Sequence, residues 1–113
     1  MTNRFMLPFH HIMSTAPGFE ATFDNTSTNY ALQSTSAREW TGGGSRSVYI
    51  MSESGDDFHI AFGTSDITAA SGTGMLIPGG VATVVGHPSP VYTHLAVVSS
   101  TTITASFTLG YGF

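Results

Sequence analysis

The stretch TTITASFTLGYGF, residues 101–113, decides the fold class of this chain. Every second residue from Ile103 to Phe113 is apolar, and the residues between them are Thr, Ser or Gly. Successive side chains of a β-strand point to opposite faces, so this alternation indicates a strand with one face buried and the other exposed. We expect this strand to close a small β-sandwich.

Several other segments show the same period of two or are short runs of β-branched and aromatic residues. The predicted strands lie in GFEATFDN (18–25), RSVYIM (46–51), DFHIAFG (57–63), MLI (75–77), VATVV (81–85) and VYTHLAVV (91–98). Turn-forming residues separate them, which is typical of a sandwich or a barrel. No long segment sustains the apolar i, i+3, i+4 pattern of a helix. The sequence therefore predicts an all-β fold.

One local pairing also follows from the sequence. The strands predicted at 46–51 and 57–63 are joined by the short link SESGDD, whose Gly55, Asp56 and Asp57 favour a turn. Two alternating runs with a short turn between them predict a β-hairpin.

Residues 1–45 are less regular than the rest. The run FMLPFHHIM is broken by Pro8, and NYALQSTSAREW fits either a strand followed by a loop or a short helix. TGGGS at 41–45 has the composition of a flexible joint. We therefore divide the chain into an N-terminal arm or irregular β segment, residues 1–45, and a β-sandwich core, residues 46–113, within one compact domain.

Composition limits the possible partners. The 113 residues suffice for one domain, and only 9% of them are charged, against about 25% in an average soluble domain. Three basic and seven acidic residues give a net charge of −4, which argues against nucleic acid and against a polybasic membrane contact. No apolar run approaches the roughly 20 residues of a membrane-spanning helix. We expect neither nucleic acid nor a membrane as partner.

The surface is expected to be neutral and rich in hydroxyl groups. Hydrophobic residues make up 41% of the chain and aromatic residues 12%, which is enough for a core. Ser, Thr, Asn and Gly must then cover much of the surface, and such groups cost less to desolvate than Lys or Glu. This surface suits a protein that packs against others in an assembly.

Two features bear on the compartment. The chain has no cysteine, which favours folding in a reducing cytoplasm. No small-residue cleavage site follows the N-terminal MTNRFMLPFHHIM, so we expect no secretory signal peptide.

Two segments carry a family resemblance. VYIMSESGDDFHIAFGTSDITAASGTGMLIPGG (48–80) and THLAVVSSTTITASFTLGYGF (93–113) resemble small structural proteins of tailed bacteriophages. The shared features are an FGTS-like strand end, a turn rich in Gly, Met and Pro, a late strand similar to THLAVVS, and a closing strand near Gly-x-Gly. The resemblance covers roughly residues 46–113 by pattern.

Several phage proteins of this type are capsid decoration, or cement, proteins, which bind the outside of the shell and stabilise it. The resemblance therefore implies a jelly-roll-like sandwich located on the capsid surface of a virion, with the major capsid protein as partner. A homo-oligomer or contacts with lattice neighbours would fit such a position. The alternative is a tail or fibre component, or a glycan- or receptor-binding module on the same particle.

The histidines show no metal-binding or catalytic pattern. His10 and His11 are adjacent, so on a strand they point to opposite faces and cannot easily share one metal ion. His59 and His94 lie on separate predicted strands, where we expect half-exposed cross-strand residues. His87 lies in a proline-rich turn.

Other catalytic motifs are also missing. Asp56 and Asp57 lack the spacing of a calcium-binding EF-hand and fit a surface turn better. GTGMLIPGG (72–80) lacks the Lys-Ser/Thr ending of a phosphate-binding loop, and no G-x-S-x-G motif occurs. Paired carboxylates of a cell-wall hydrolase have no fixed sequence spacing, so that enzyme is a third hypothesis. We expect a protein without catalytic activity, cofactor or metal.

Candidate partner-binding residues come from the first 45 positions. They are apolar or aromatic: Phe5, Met6, Leu7, Phe9, Ile12, Met13 and Trp40. An apolar terminal segment needs either its own core or another chain to pack against, so the first six fit a first strand of the sandwich or an arm that binds neighbouring subunits. Trp40 fits an interface anchor or a cap on the core.

If the chain binds glycans instead, the candidates are Tyr49, Tyr92 and Tyr111. Glycan sites commonly place exposed aromatic rings beside polar groups.

Overall fold

The computed structural model describes residues 9–12, 16–33, 39–40, 46–86 and 92–112. These residues form nine β-strands and no helix, and every pair of neighbouring strands is antiparallel. The strands are β1 (His10–His11), β2 (Gly18–Phe23), β3 (Thr28–Ala31), β4 (Arg46–Ser52), β5 (Phe58–Gly63), β6 (Met75–Ile77), β7 (Thr83–Gly86), β8 (His94–Val98) and β9 (Ile103–Tyr111). The all-β prediction is confirmed. None of the described segments is a helix that could span a membrane.

The strands form two sheets that pack face to face. In sheet 1, β1 and β2 lie end to end along one side of β9, β4 lies on its other side, and β7 follows β4. The order in sheet 2 is β3, β8, β5 and β6. The chain changes sheet at every link except β1–β2 and β5–β6. With β1 and β2 counted as one position, this is jelly-roll connectivity, and the predicted antiparallel sandwich is confirmed.

Strand β9 is the central strand of sheet 1 and has the predicted alternation. Its inward series Ile103, Ala105, Phe107 and Leu109 is buried, whereas Thr104 and Ser106 are exposed. Residue 113, the end of the predicted strand, lies outside the described residues.

The rung around Phe107 shows how β9 holds the core together. Phe107 is paired with Phe19 of β2 on one side and Ile50 of β4 on the other. The rings of Phe19 and Phe107 stack with centroids 5.3 Å apart. Phe107 and Ile50 are both fully buried. One side chain thus joins three strands through apolar contact.

Aromatic contacts also join the two sheets. Phe23 of β2 meets Phe58 of β5 edge to face, with ring centroids 5.3 Å apart. Phe19 and Tyr30 of β3 lie 6.0 Å apart, centroid to centroid. Such pairs add to the hydrophobic stabilisation of a core.

The predicted hairpin between β4 and β5 is wrong. β4 pairs with β7 and β9, and β5 pairs with β6 and β8. The link at residues 53–57 carries the chain from sheet 1 to sheet 2, so the buried residues of β4 and β5 face each other across the core. Alternation reports that each strand has one buried face, and it does not distinguish neighbours in one sheet from partners in opposite sheets.

The described part of residues 1–45 belongs to the sandwich. β1, β2 and β3 come from this segment, and Ile12, Phe23 and Leu32 lie in the core. A boundary at residue 45 therefore does not separate an arm from the core at these positions. Residues 34–38, which include part of the possible short helix, and the predicted joint at 41–45 lie outside the described residues.

Substitution on the two faces of β9 tests the alternation. We expect Phe107→Asp to unfold the domain, because an unpaired buried charge costs several kcal/mol, against a total stability of about 5–15 kcal/mol. Thr104→Asp should leave the isolated protein folded, since this side chain is exposed. Thermal unfolding followed by circular dichroism measures both, and equal loss of stability in the two variants would contradict the assigned faces.

Candidate functional site

Residues 64–74 form a loop that crosses the outer face of sheet 2. The side-chain amide of Asn29 donates a hydrogen bond to the backbone oxygen of Ser65, at 2.7 Å. The backbone amide of Ala69 donates to the hydroxyl of Ser27, at 2.9 Å. These bonds fasten the loop to β3 and to the link that precedes β3.

A cleft of about 640 Å³ opens between this loop and sheet 2. One rung of the sheet forms its floor, with Leu76 of β6, His59 of β5 and Val98 of β8 side by side. These side chains point away from the core, because Phe58 and Ile60 on either side of His59 are buried. His59 therefore takes the half-exposed cross-strand position predicted for it.

The rim of the cleft comes from several links and is mostly polar. Its polar residues are Asn25, Ser27, Asp56, Asp57, Ser71, Ser99 and Ser100. Ala69 and Ala70 of the 64–74 loop complete the lining. No lysine or arginine is among these lining residues, so the two carboxylates give the cleft a negative charge.

The two aspartates hold neighbouring links in place. Asp56 Oδ2 accepts a hydrogen bond from Thr101 Oγ1 at 3.0 Å, and Asp57 Oδ1 accepts one from the backbone amide of Gly79 at 3.1 Å. The second oxygen of each carboxylate makes no hydrogen bond within the described structure. Each aspartate therefore combines a structural bond with one acceptor that a ligand can use.

Ser99 fixes the end of the cleft where three links meet. Its backbone amide donates to the carbonyl of Asp24 at 2.8 Å, and its hydroxyl donates to the carbonyl of Asp57 at 3.3 Å. Ser99 is only 4% exposed. The links that precede β3, β5 and β9 are thus bonded to one another, which holds the rim in a fixed position.

The chemistry of the cleft is hydrogen bonding. Among the described residues, no group of three or more His, Asp and Glu side chains is arranged to hold a metal ion. The lining offers carboxylate oxygens, hydroxyls and one amide around a floor of two aliphatic side chains and one imidazole. This combination can bind a small polar molecule.

The predicted partner-binding residues do not line the cleft. Ile12 is 3% exposed and lies in the core, in agreement with the first-strand alternative at this position. Phe9 is half-buried, with its ring centroid 5.4 Å from that of Tyr49. Phe5, Met6, Leu7 and Met13 lie outside the described residues.

Trp40 also packs into the core. It is 5% exposed, and its indole Nε1 donates a hydrogen bond to the carbonyl of Gly110 at 2.7 Å. The guanidinium carbon of Arg46 lies 5.5 Å from the centroid of the Trp40 ring. Of the two alternatives, the core position is the one that this structure shows.

The three tyrosines proposed for glycan binding do not form one site with the cleft. Tyr49 is in β4, Tyr111 is in β9 against the core, and Tyr92 precedes β8. All three are half-buried, and the cleft lining includes none of them.

A second surface feature lies at the edge of the sandwich. Met75 and Leu76 of β6 are 50% and 54% exposed, and Val81 in the link to β7 is 54% exposed. Leu76 points into the cleft and Met75, its neighbour on the strand, points the other way, so we call Met75 and Val81 the β6 surface. Pro78 indicated an edge position for this strand, and β6 is the edge of sheet 2 in the described structure. Their exposure was not predicted, because a short apolar run fits a buried strand equally well.

Comparison with known proteins identifies no relative of this chain. No family model matches the sequence, and no curated protein or solved structure gives a significant match. The resemblance to phage decoration proteins stays a prediction, and the fold and the two surface features are the basis for a functional proposal.

The contact between Gly79 and the Asp56–Asp57 link yields a prediction. A Cβ at Gly79 would collide with the backbone of Gly55 and Asp56, so Gly79→Ala should displace this rim of the cleft and destabilise the protein by about 1–3 kcal/mol. Gly72→Ala is the matched control, because nothing lies near the position of its Cβ. Urea unfolding measures both, and a neutral Gly79→Ala would contradict this contact.

The hydrogen bond between Trp40 and Gly110 yields another testable prediction. Trp40→Phe leaves the buried carbonyl of Gly110 without this donor, which should lower the free energy of unfolding by about 1–3 kcal/mol. Tyr49→Phe also removes one polar group from a half-buried ring and should have little effect. Equal stabilities of the Trp40→Phe variant and the unmodified protein would contradict a structural role for the indole.

Proposed function

We propose that this chain is a non-enzymatic structural protein of a virion that decorates a capsid. It binds the outside of a shell built from the major capsid protein and stabilises that shell. The observation that carries the proposal is the β6 surface, where Met75 and Val81 are about half exposed at the edge of a charge-poor jelly roll.

Exposed apolar side chains at one edge favour contact with another protein. Met75 and Val81 are each about half exposed, so a partner that covers them removes further apolar area from water. β6 has three residues and is followed by Pro78, which limits its pairing with a further strand. Packing of side chains is thus the expected mode of contact.

The rest of the surface supports burial in an assembly. Only 9% of the residues are charged. Cores of protein interfaces are depleted in charged residues, because a charge is costly to remove from water. A charge-poor surface therefore lowers the cost of burying the surroundings of Met75 and Val81 against a capsid subunit.

The architecture supports a rigid component. Jelly rolls occur in viral capsid and lectin domains, and both sheets here share one hydrophobic core. The fold alone does not determine function, so the proposal also depends on the β6 surface and on the resemblance of residues 46–113 to phage structural proteins.

The mechanism of stabilisation is thermodynamic. A protein that bridges two shell subunits adds its binding free energy to the work of separating them. Repetition over the lattice strengthens the shell even when each contact is weak. This mechanism requires no chemical reaction. The aspartates of the cleft form hydrogen bonds that hold neighbouring links together, which explains their presence without a catalytic role.

Binding to isolated shells tests this function. Shells purified without the protein should bind it at a fixed ratio in sedimentation, and the temperature at which they release their contents should rise. Val81→Asp should weaken binding by about tenfold or more, since it places a charge in the apolar contact.

The control is Thr104→Asp, which adds the same charge on the outer face of sheet 1. It should bind shells like the unmodified protein. Failure of the unmodified protein to bind any shell from the virus that encodes it would overturn the proposal. Equal losses of shell binding in the two variants would show that the β6 surface is not the site of attachment.

A further inference from the structure

The cleft on sheet 2 has the size and the lining of a ligand site. Its volume of about 640 Å³ lies within the roughly 300–1,000 Å³ typical of small-molecule pockets. Its rim is held by hydrogen bonds between separate links, so the shape exists before a ligand binds. Capsid decoration through the β6 surface does not require such a cavity.

The charges of the lining exclude one class of ligand. Asp56 and Asp57 lie on the rim, and no lysine or arginine is among the lining residues. Phosphates, sulfates and acidic sugars would be repelled by the carboxylates without a compensating cation. The ligand is therefore expected to be neutral or cationic.

The hydroxyl-rich rim favours a neutral ligand over a cation. A cation needs acceptors alone, whereas Ser27, Ser71, Ser100 and Asn25 offer both donors and acceptors. The hydroxyl of Ser27, for example, accepts from Ala69 and still has a proton to donate. Groups with both roles match the hydroxyls of a sugar, which are also donors and acceptors.

The floor of the cleft is complementary to the face of a sugar ring. Leu76, His59 and Val98 form one rung on the outer face of sheet 2, with an imidazole between two aliphatic side chains. A pyranose presents C–H groups on its faces and hydroxyls around its edge. Two aliphatic side chains and an imidazole ring, with hydrogen-bonding groups around them, are complementary to that arrangement.

We propose that the cleft between the 64–74 loop and sheet 2 binds a neutral carbohydrate. The sugar ring lies on Leu76, His59 and Val98, and its hydroxyls donate to the free oxygens of Asp56 and Asp57. The hydroxyls of Ser27, Ser71 and Ser100 and the amide of Asn25 bond the remaining sugar hydroxyls. This site is independent of shell attachment, and the protein would bring a capsid surface into contact with cell-surface or extracellular glycans.

Affinity electrophoresis with neutral polysaccharides tests the proposal. The full chain is run through gels that contain dextran, mannan, galactan or β-glucan, with chondroitin sulfate as the anionic comparison. We expect retardation by at least one neutral polysaccharide, reversal by oligosaccharides of the same polymer, and persistence in about 0.5 M NaCl, where exposed ionic contacts are screened.

Two serine variants locate the site. Ser100→Trp places a large ring in the cleft and should reduce the apparent affinity about tenfold or more. Ser106→Trp makes the same change at an exposed position of β9 on the opposite sheet and should bind like the unmodified protein. Circular dichroism tests whether both variants are folded. If Ser100→Trp does not fold, Val98→Trp serves as a second variant that blocks the floor of the cleft.

Several results would overturn the proposal. They are the absence of retardation in all four neutral gels, loss of retardation in salt, stronger retardation by chondroitin sulfate, or equal losses in the two serine variants. Each is distinguishable from a failure of the decoration function, because shell binding depends on Val81 and is measured in a separate assay.

Discussion

The structure depends on the alternation of buried and exposed side chains along β9. This strand pairs with β1 and β2 on one side and with β4 on the other, so it is hydrogen-bonded along its length on both sides. A shift of one residue would turn Phe107 to solvent and Thr104 into the core. The buried apolar series therefore fixes the register of sheet 1, and the aromatic contacts across the core position sheet 2 against it.

Both proposed binding surfaces arise where this sandwich is not covered by its own sheets. The links that cross between the sheets meet at Ser99 and the Asp56–Asp57 pair, where their mutual hydrogen bonds shape the rim of the cleft. At the outermost strand of sheet 2, β6, Met75 is half exposed, as is Val81 in the link that follows. A rigid core thus supports two kinds of contact, an apolar edge suited to a protein and a polar cleft suited to a small ligand.

Most of the strands could be predicted because apolar residues recur at every second position of the sequence, as Phe58, Ile60 and Phe62 do in β5. The hairpin prediction failed because alternation does not say which sheet a strand joins. The cleft could not be predicted either, since Asn25, Asp57, Ser71 and Ser100 are far apart in the chain and form no motif. Trp40 and Ile12 were equally consistent with a core and with an interface, and only the packed structure places them in the core.

We propose that this jelly roll acts by attachment through its apolar edge. A reconstruction of the particle of the virus that encodes the chain is the decisive measurement, because it shows both the location and the orientation of the protein. We expect density for the sandwich on the outside of the shell, with Met75 and Val81 facing a capsid subunit. Absence of the protein from the particle, or attachment through the opposite edge formed by β2 and β3, would contradict it.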